Sequence, residues 1–264
     1  MKNNYLILCI FYLFLQPNLV NGCAIDCNNL DQQKIQSFSK AKFRQAVFLN
    51  TAKPLPANKA PRLMKLSVQV VKVWPHGILP IKLHSAFANH RDRVRVFSAC
   101  RWWSKNTQIR CVKYNSTKHQ DYVLVVPAKV NRSYIGRAGG EQLLELASLK
   151  VKGTIVHEFG HALGFAHQHN SPLRDNYIKI VHENIKHQGK YEFIKAKAFV
   201  GLAHYDFCSI MHYKLADFSA NGKNTIKIIG KKPSCKIGQR DHLSKLDIER
   251  AQALYGKRLL LGQR

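Results

Sequence analysis

The sequence predicts an α+β fold, with strands and helices combined in one unit of about 200 residues. Residues 66–70 alternate apolar and polar side chains, which is the pattern of a half-buried strand. Tyr122–Val126 is a continuous apolar run and predicts a buried strand. Segments with the apolar spacing of helices lie between and after these strands, and they supply the α component.

Four segments predict helices. In the last of them, Ser244 and Asp247 resemble a capping box, which satisfies backbone N–H groups at a helix start. The apolar residues of the first segment are spaced for a single face: Phe87, Val94, Phe97 and Cys100. The four segments are Ser85–Ser104, Gln142–Leu149, Gly153–Phe165 and Leu243–Tyr255.

Composition excludes several classes of protein. Hydrophobic residues make up 45% of the 264 residues, which is enough to form a core and excludes a disordered chain. The 15 glycines and 9 prolines are too few for collagen, and no heptad pattern runs far enough for a coiled coil. The 42 Lys and Arg outnumber the 15 Asp and Glu, giving a net charge of +27. This excess predicts either polyanionic partners, sulfated glycans among them, or a role in solubility alone.

The N-terminus predicts export. Lys2 gives a cationic start, Tyr5–Leu15 is an apolar run, and Val20–Gly22 ends in small residues, so residues 1–22 predict a secretory signal peptide. Residues 23–65 are polar and interrupted by proline, and they predict a pro-segment or N-terminal arm. No later stretch reaches the about 18 apolar residues of a membrane span. We therefore expect a secreted, extracellular protein without a membrane span.

Export makes disulfide bonds possible in the six cysteines that follow the predicted signal peptide. Four of these cysteines follow residue 66, which allows three connectivities, and we favour Cys100–Cys111 with Cys208–Cys235. The sequons at Asn115 and Asn131 predict glycosylation, although such tripeptides also arise by chance.

One segment, His157–His167, points to a metal. On a helix, His157 and His161 project from one face, one turn apart, as two ligands of a tetrahedral zinc ion must. Gly164 can adopt a left-handed conformation and end the helix, so that His167 returns as a third ligand. Three protein ligands leave a fourth position for water, which is typical of a catalytic zinc site.

The neighbouring carboxylate has a predicted role in the chemistry. Glu158 follows the first ligand and is offset by about 100° around the helix, so it can reach a zinc-bound water without binding the metal. The chain has 13 histidines, and most lack this spacing. We interpret five others as structural or solvated: His169, His182, His187, His204 and His212.

A second motif follows downstream. Ser209–Tyr213 reads S-I-M-H-Y and supplies the Met-turn of metzincins, in which Met211 forms an apolar floor beneath the metal ligands. Met211 therefore combines an ordinary packing role with support of the site.

Together these motifs resemble the astacin family of zinc metalloproteases, in the metzincin clan. The resemblance covers about residues 66–255, and we assign residues 66–264 to the catalytic domain. Further stretches that carry the resemblance are Trp74–Pro80, Gly136–Gln142, Arg174–Tyr177, Phe218–Gly222 and Ile237–Arg240.

The resemblance implies a two-lobed fold. The upper lobe is expected to contain a twisted mixed sheet and two long helices, and the irregular lower lobe to end in a C-terminal helix. It also implies that Tyr213 is an additional, displaceable zinc ligand that moves to support the transition state. Family members often favour acidic side chains near the cleaved bond, which the cationic composition would suit.

Some positions depart from the family pattern. Gln168 replaces the glutamate that usually follows the third histidine and helps to anchor the mature N-terminus. The positions that match the two family disulfides hold other residues, and no F-x-G-D motif precedes Trp74. Latency is therefore expected either to work differently from that of typical members or to be absent.

Two hypotheses result. The first is a secreted zinc endopeptidase with one Zn²⁺ per chain, Glu158 as general base, and protein or peptide substrates. The alternative is a catalytically weak, secreted, cationic binding protein that retains a zinc site. Neither hypothesis involves nucleic acid.

Overall fold

The computed structural model describes residues 71–87, 89–196 and 204–256. All of them lie in one compact unit. The predicted signal peptide, the N-terminal arm and the predicted strand at residues 66–70 lie outside the described residues. None of the helices in the described part combines the length and apolarity that a membrane span needs.

A five-stranded mixed sheet forms the first layer, in the order β2-β1-β3-β5-β4. The three pairings among β2, β1, β3 and β5 are parallel, and the short β4 pairs antiparallel with β5. Residue burial alternates in β3, which confirms the strand predicted at Tyr122–Val126. The strands are β1 (Ile78–Leu83), β2 (Arg110–Lys113), β3 (Tyr122–Pro127), β4 (Arg132–Ser133) and β5 (Glu141–Leu146).

The helix predicted at Gln142–Leu149 is wrong, because this segment contributes most of β5. Its Glu, Gln and Leu residues have high helix propensity, but propensity is a weak signal that tertiary pairing overrides. All six residues of β5 pair with β3, and Gln142, Leu144 and Leu146 point into the protein while the residues between them are more exposed. The burial period of two shows that pairing decides the structure here.

Two helices, α1 (His90–Ser104) and α2 (Lys152–Ala162), pack against each other. The helix α1 begins later than predicted, because the side chain of Asn89 accepts a hydrogen bond from the N–H of Asp92 and caps it. Its predicted apolar face is also rotated, since Val94 is 46% exposed. The residues that α1 buries are Val96, Ala99, Cys100 and Trp103.

The rest of the domain has little regular structure. Strands β6 (Ile178–Ile180) and β7 (Ile226–Ile228) form a small antiparallel sheet over a separate apolar core, and α3 (Lys245–Tyr255) ends the described chain. The capping box predicted at Ser244 and Asp247 is present, with both of its hydrogen bonds. A sheet with two helices, followed by an irregular part that ends in a helix, agrees with the predicted architecture.

Both favoured disulfides are present. Cys100–Cys111 joins α1 to β2, and Cys208–Cys235 joins two loop segments that precede α3.

Candidate active site

Three imidazoles converge at the C-terminal half of α2 and the loop after it. His157 and His161 lie one turn apart on α2 and are buried. Nε2 of His167 lies 3.2 Å from Nε2 of His157 and 3.0 Å from Nε2 of His161. The ligand atoms of all three lie within 4.8 Å of one another, so this cluster can hold a metal ion.

Gly164 provides the turn that returns His167 to the helix. Its φ of +107° lies in the region that favours glycine, and its N–H bonds to the carbonyl of His161 at 2.8 Å. A Cβ at this position would also lie 2.6 Å from Cγ1 of Val71. Both observations agree with the predicted role of Gly164 in ending the helix.

Backbone carbonyls orient two of the rings. Nδ1–H of His157 donates to the carbonyl of Ile210, and Nδ1–H of His161 donates to the carbonyl of Phe165, each at 2.8 Å. With its proton on Nδ1, each ring keeps a free lone pair on Nε2, the form that binds a metal.

The donor set fits zinc. Tetrahedral Zn²⁺ with bonds of about 2.0–2.1 Å separates its nitrogen ligands by about 3.3–3.4 Å, close to the spacing of these Nε2 atoms. Burial lowers the pKa of His161 to about 4 and also lowers the pKa of His157 and His167. The rings are therefore neutral near pH 7, as metal binding requires.

Glu158 directly follows His157 on α2 and has a free oxygen. The residue is buried, and its Oε2 has no hydrogen-bond partner among the described residues. Burial raises the pKa of Glu158 to about 8, while the positive charge of Arg240 acts in the opposite direction. A buried carboxylate without a protein partner is suited to exchange a proton with a ligand or water.

Met211 packs directly against the helix that carries the histidines. A Cβ built on Gly160 of α2 would lie only 2.5 Å from Sδ of Met211 and 2.9 Å from Cζ2 of Trp103. The carbonyl of Met211 also accepts a hydrogen bond from the N–H of Gln168, 2.9 Å away. The Met-turn therefore contacts both α2 and the residue that follows His167.

Tyr213 lies next to the cluster, with its ring centroid 4.4 Å from that of His167. Its hydroxyl donates a hydrogen bond to Oε2 of Glu192 at 3.1 Å. Burial is the largest cause that raises the pKa of Tyr213, and the carboxylate of Glu192 raises this pKa further. The phenol therefore remains a hydrogen-bond donor near neutral pH.

The five histidines that were interpreted as structural or solvated are either buried with a hydrogen bond or exposed. His212 is buried and hydrogen-bonded to the Tyr205 hydroxyl at 2.7 Å. His169 is buried and donates a hydrogen bond to the carbonyl of Glu192. The three remaining ones are exposed: His182, His187 and His204.

Sequence reasoning assigned no role to several residues around the cluster. Arg240 donates a hydrogen bond to the carbonyl of His212 at 3.1 Å. Glu192 accepts a hydrogen bond from the hydroxyl of Tyr213. Arg240 had one signal in the sequence, because it ends a stretch with family resemblance. Glu192 had none. Gln168, noted as a departure, is buried with an Nε2 that has no partner among the described residues.

Comparison with known proteins identifies the family. The family model described as Astacin, a peptidase family, matches residues 67–256 of this chain. The chain belongs to the astacin family. The zinc metalloproteinase nas-4 of Caenorhabditis elegans is 33% identical over 192 residues, covering 71% of this chain and 60% of that protein. Blastula protease 10 of Paracentrotus lividus is 32% identical over 201 residues, covering 72% of this chain and 33% of that protein.

Solved structures agree with this membership. The hatching enzyme HCE-1, a zinc-protease from medaka (Oryzias latipes), matches with a TM-score of 0.65 and 33% identity, covering 75% of this chain and all of that one. Myroilysin shares the fold, with a TM-score of 0.52 at 22% identity, covering 71% of this chain and 97% of that one. The chain spans between 33% and 60% of the length of the two curated relatives.

Proposed function

We propose that this astacin-family chain is a secreted zinc-dependent endopeptidase that hydrolyses peptide bonds in proteins or peptides. The observation that carries the proposal is the convergence of three imidazoles at the helix that also carries Glu158, whose buried Oε2 has no hydrogen-bond partner among the described residues. A structural zinc site needs no free carboxylate next to it, whereas hydrolysis needs a base within reach of water.

In this proposal His157, His161 and His167 hold one Zn²⁺ through their Nε2 atoms. The bound ion supplies Lewis acidity and lowers the pKa of water toward neutrality. The carbonyls of Ile210 and Phe165 keep the first two rings in the required tautomer. Met211 supports the helix that carries these rings.

Glu158 acts as the general base and then as the acid. Its carboxylate takes a proton from the attacking water and passes it to the leaving amine. The burial that raises its pKa to about 8 makes it a stronger base than an exposed glutamate. A positive charge held by the three imidazoles favours the ionised form that the first step requires.

Tyr213 stabilises the negative charge that develops on the carbonyl oxygen of the substrate. Its hydroxyl is a donor whose acceptor in this structure is Glu192. Exchange of that acceptor for the developing oxyanion would give the transition state a hydrogen bond that the ground state lacks.

Secretion is supported by the N-terminal sequence and by the two disulfides, which persist in oxidising compartments. Both sequon asparagines, Asn115 and Asn131, are exposed, as glycosylation requires.

The function can be tested with the full-length chain and a casein or gelatin substrate. We expect digestion that stops when a zinc chelator is added and returns with Zn²⁺. Glu158→Gln should abolish turnover while metal analysis still finds about one zinc per chain. A wild-type chain that binds zinc but cleaves nothing, whether residues 23–65 are attached or removed, would favour the alternative, a cationic binding protein.

A further inference from the structure

Helix α1 presents a row of cations on its exposed side. With about 100° of rotation per residue, Arg91, Arg95, Arg101 and Lys105 fall within about 120° of the helix circumference. All four are exposed, and Lys105 continues the helical backbone as the C-cap. At about 1.5 Å per residue the row is about 21 Å long. We call these four residues the α1 cationic stripe.

Little negative charge offsets this stripe. Asp92 is the only acidic residue of α1, and its carboxylate lies 3.8 Å from the guanidinium of Arg95, which remains 45% exposed. Within the described ranges, Arg91, Arg101 and Lys105 form no ion pair. Four cations face this single carboxylate, so the stripe keeps an excess of positive charge.

A fifth cation lies on the same face. The ammonium of Lys152, the first residue of α2, lies 5.2 Å from the centre of the Trp102 ring. Trp102 falls about 20° from Arg91 around the helix, which places it inside the stripe. A cation–π contact of this kind holds Lys152 over the face of α1.

The stripe is also rigidly supported. The opposite face of α1 is buried, with Val96, Ala99 and Trp103 in the core. The disulfide from Cys100 to Cys111 connects the helix to β2. Cationic residues on such a frame lose less conformational entropy on binding than those of a loop.

We propose that the α1 cationic stripe binds a linear sulfated polysaccharide lying along the helix. Sulfate groups repeat along such a chain, and a band of cations that runs along the helix matches them in charge. Three of the four stripe residues are arginines, whose planar guanidinium groups bind oxyanions through two parallel hydrogen bonds. This proposal goes beyond the peptidase function and does not depend on it.

Two other polyanions fit this face less well. Single-stranded nucleic acid needs open aromatic rings on which bases stack, and here Lys152 covers the face of Trp102. Insertion into a membrane surface needs a broad apolar face, whereas Val94, which falls inside the stripe, is the one large aliphatic side chain that α1 exposes.

The test measures heparin binding by the full-length chain as a function of salt. The variant is R91Q/R95Q/R101Q/K105Q. The matched control removes four exposed lysines in and around β7 of the second sheet, K223Q/K227Q/K231Q/K232Q, so both variants have the same net charge. We expect affinity of the stripe variant at physiological salt to fall by about tenfold or more, and its salt dependence to become shallower. The control variant should lose much less affinity for heparin.

Further arms identify the ligand. Desulfated heparin, polyglutamate and vesicles with anionic lipid should compete far more weakly than heparin. Equal losses in the two variants, or equal competition by any of these probes, would overturn the proposal. Circular dichroism checks folding, and R91Q/R101Q with K223Q/K231Q as its control gives the same comparison if the fourfold variant does not fold.

Discussion

The carboxylate of Asp247 accepts a hydrogen bond from the backbone N–H of Ile210, with 2.9 Å between Oδ2 and N. The carbonyl of the same Ile210 accepts the Nδ1–H of His157. One residue of α3 is thereby connected to a proposed metal ligand through a single residue of the Met-turn. The C-terminal helix consequently contributes to the geometry of the site.

Asp247→Asn should weaken both folding and metal binding. The carboxylate accepts hydrogen bonds from Oγ of Ser209 and from the backbone N–H groups of Ile210 and Ser244. The amide of asparagine would turn its NH₂ group toward at least one of these donors. A buried group left without its partner costs about 1–3 kcal/mol. Urea unfolding and zinc titration measure the two effects. Glu249→Gln, on the more exposed side of the same helix, is the control, and equal effects in both variants would refute this coupling.

Gly160→Ala should destabilise the domain. The added methyl group would lie 2.5 Å from Sδ of Met211, closer than packing permits. Overpacking of this kind costs about 1–3 kcal/mol, which thermal or urea unfolding detects. The double variant G160A/M211A, compared with M211A alone, provides the control, because the smaller residue at 211 removes the nearer of two close contacts, the other being with Trp103. Absence of any rescue would show that Met211 is not the cause.

Tyr213→Phe should reduce kcat by about 100-fold while KM and zinc content change little, because one hydrogen bond to the oxyanion is lost. Steady-state kinetics with a quenched peptide and metal analysis make the measurement. Tyr191→Phe is the matched control, since this tyrosine is 79% exposed. A kcat within about twofold of wild type would remove Tyr213 from the mechanism.

Acid should remove a contribution that Asp121 makes to stability. Its carboxylate accepts from the N–H of Gly140 at 2.6 Å and pairs with Arg137, and these contacts lower its pKa below the usual 3.8. Because the folded pKa is the lower one, this contribution is present above pH 3.8 and is lost as pH falls through the folded value. Asp121→Asn should therefore be less stable than wild type at about pH 7, and the difference should shrink near pH 3.

Urea unfolding at both pH values provides the measurement for Asp121. Asp241→Asn, at an exposed position, is the control. A stability difference between Asp121→Asn and wild type that stays constant from about pH 7 to about pH 3 would contradict the assignment.

A cationic chain should prefer peptides with acidic side chains near the cleaved bond. The net charge of +27 raises the local concentration of such substrates, and this effect weakens as salt is added. Cleavage of a peptide library at low and high salt makes the test. A profile without enrichment of Asp or Glu would rule the preference out.

Sequence reasoning predicted local features better than distant contacts. The His157–His167 segment encodes its geometry within eleven residues, since helical periodicity and one glycine determine where the three rings lie. The strand Glu141–Leu146 was mistaken for a helix because its pairing with β3 is not visible in its own residues. The contacts of Glu192 with Tyr213 and of Gly160 with Met211 depend on chain folding over 21 and 51 residues, which no local pattern reports.

The disulfide between Cys208 and Cys235 encloses the stretch that contains Met211 and Tyr213. Closure of a loop of this length stabilises a domain by about 3.5 kcal/mol in the chain-entropy model. A chain produced in bacterial cytosol, where thiols stay reduced, would lack this closure around its proposed catalytic tyrosine. Recombinant production should therefore use the periplasm, a eukaryotic secretory host or oxidative refolding, and an inactive cytosolic preparation would say little about the native enzyme.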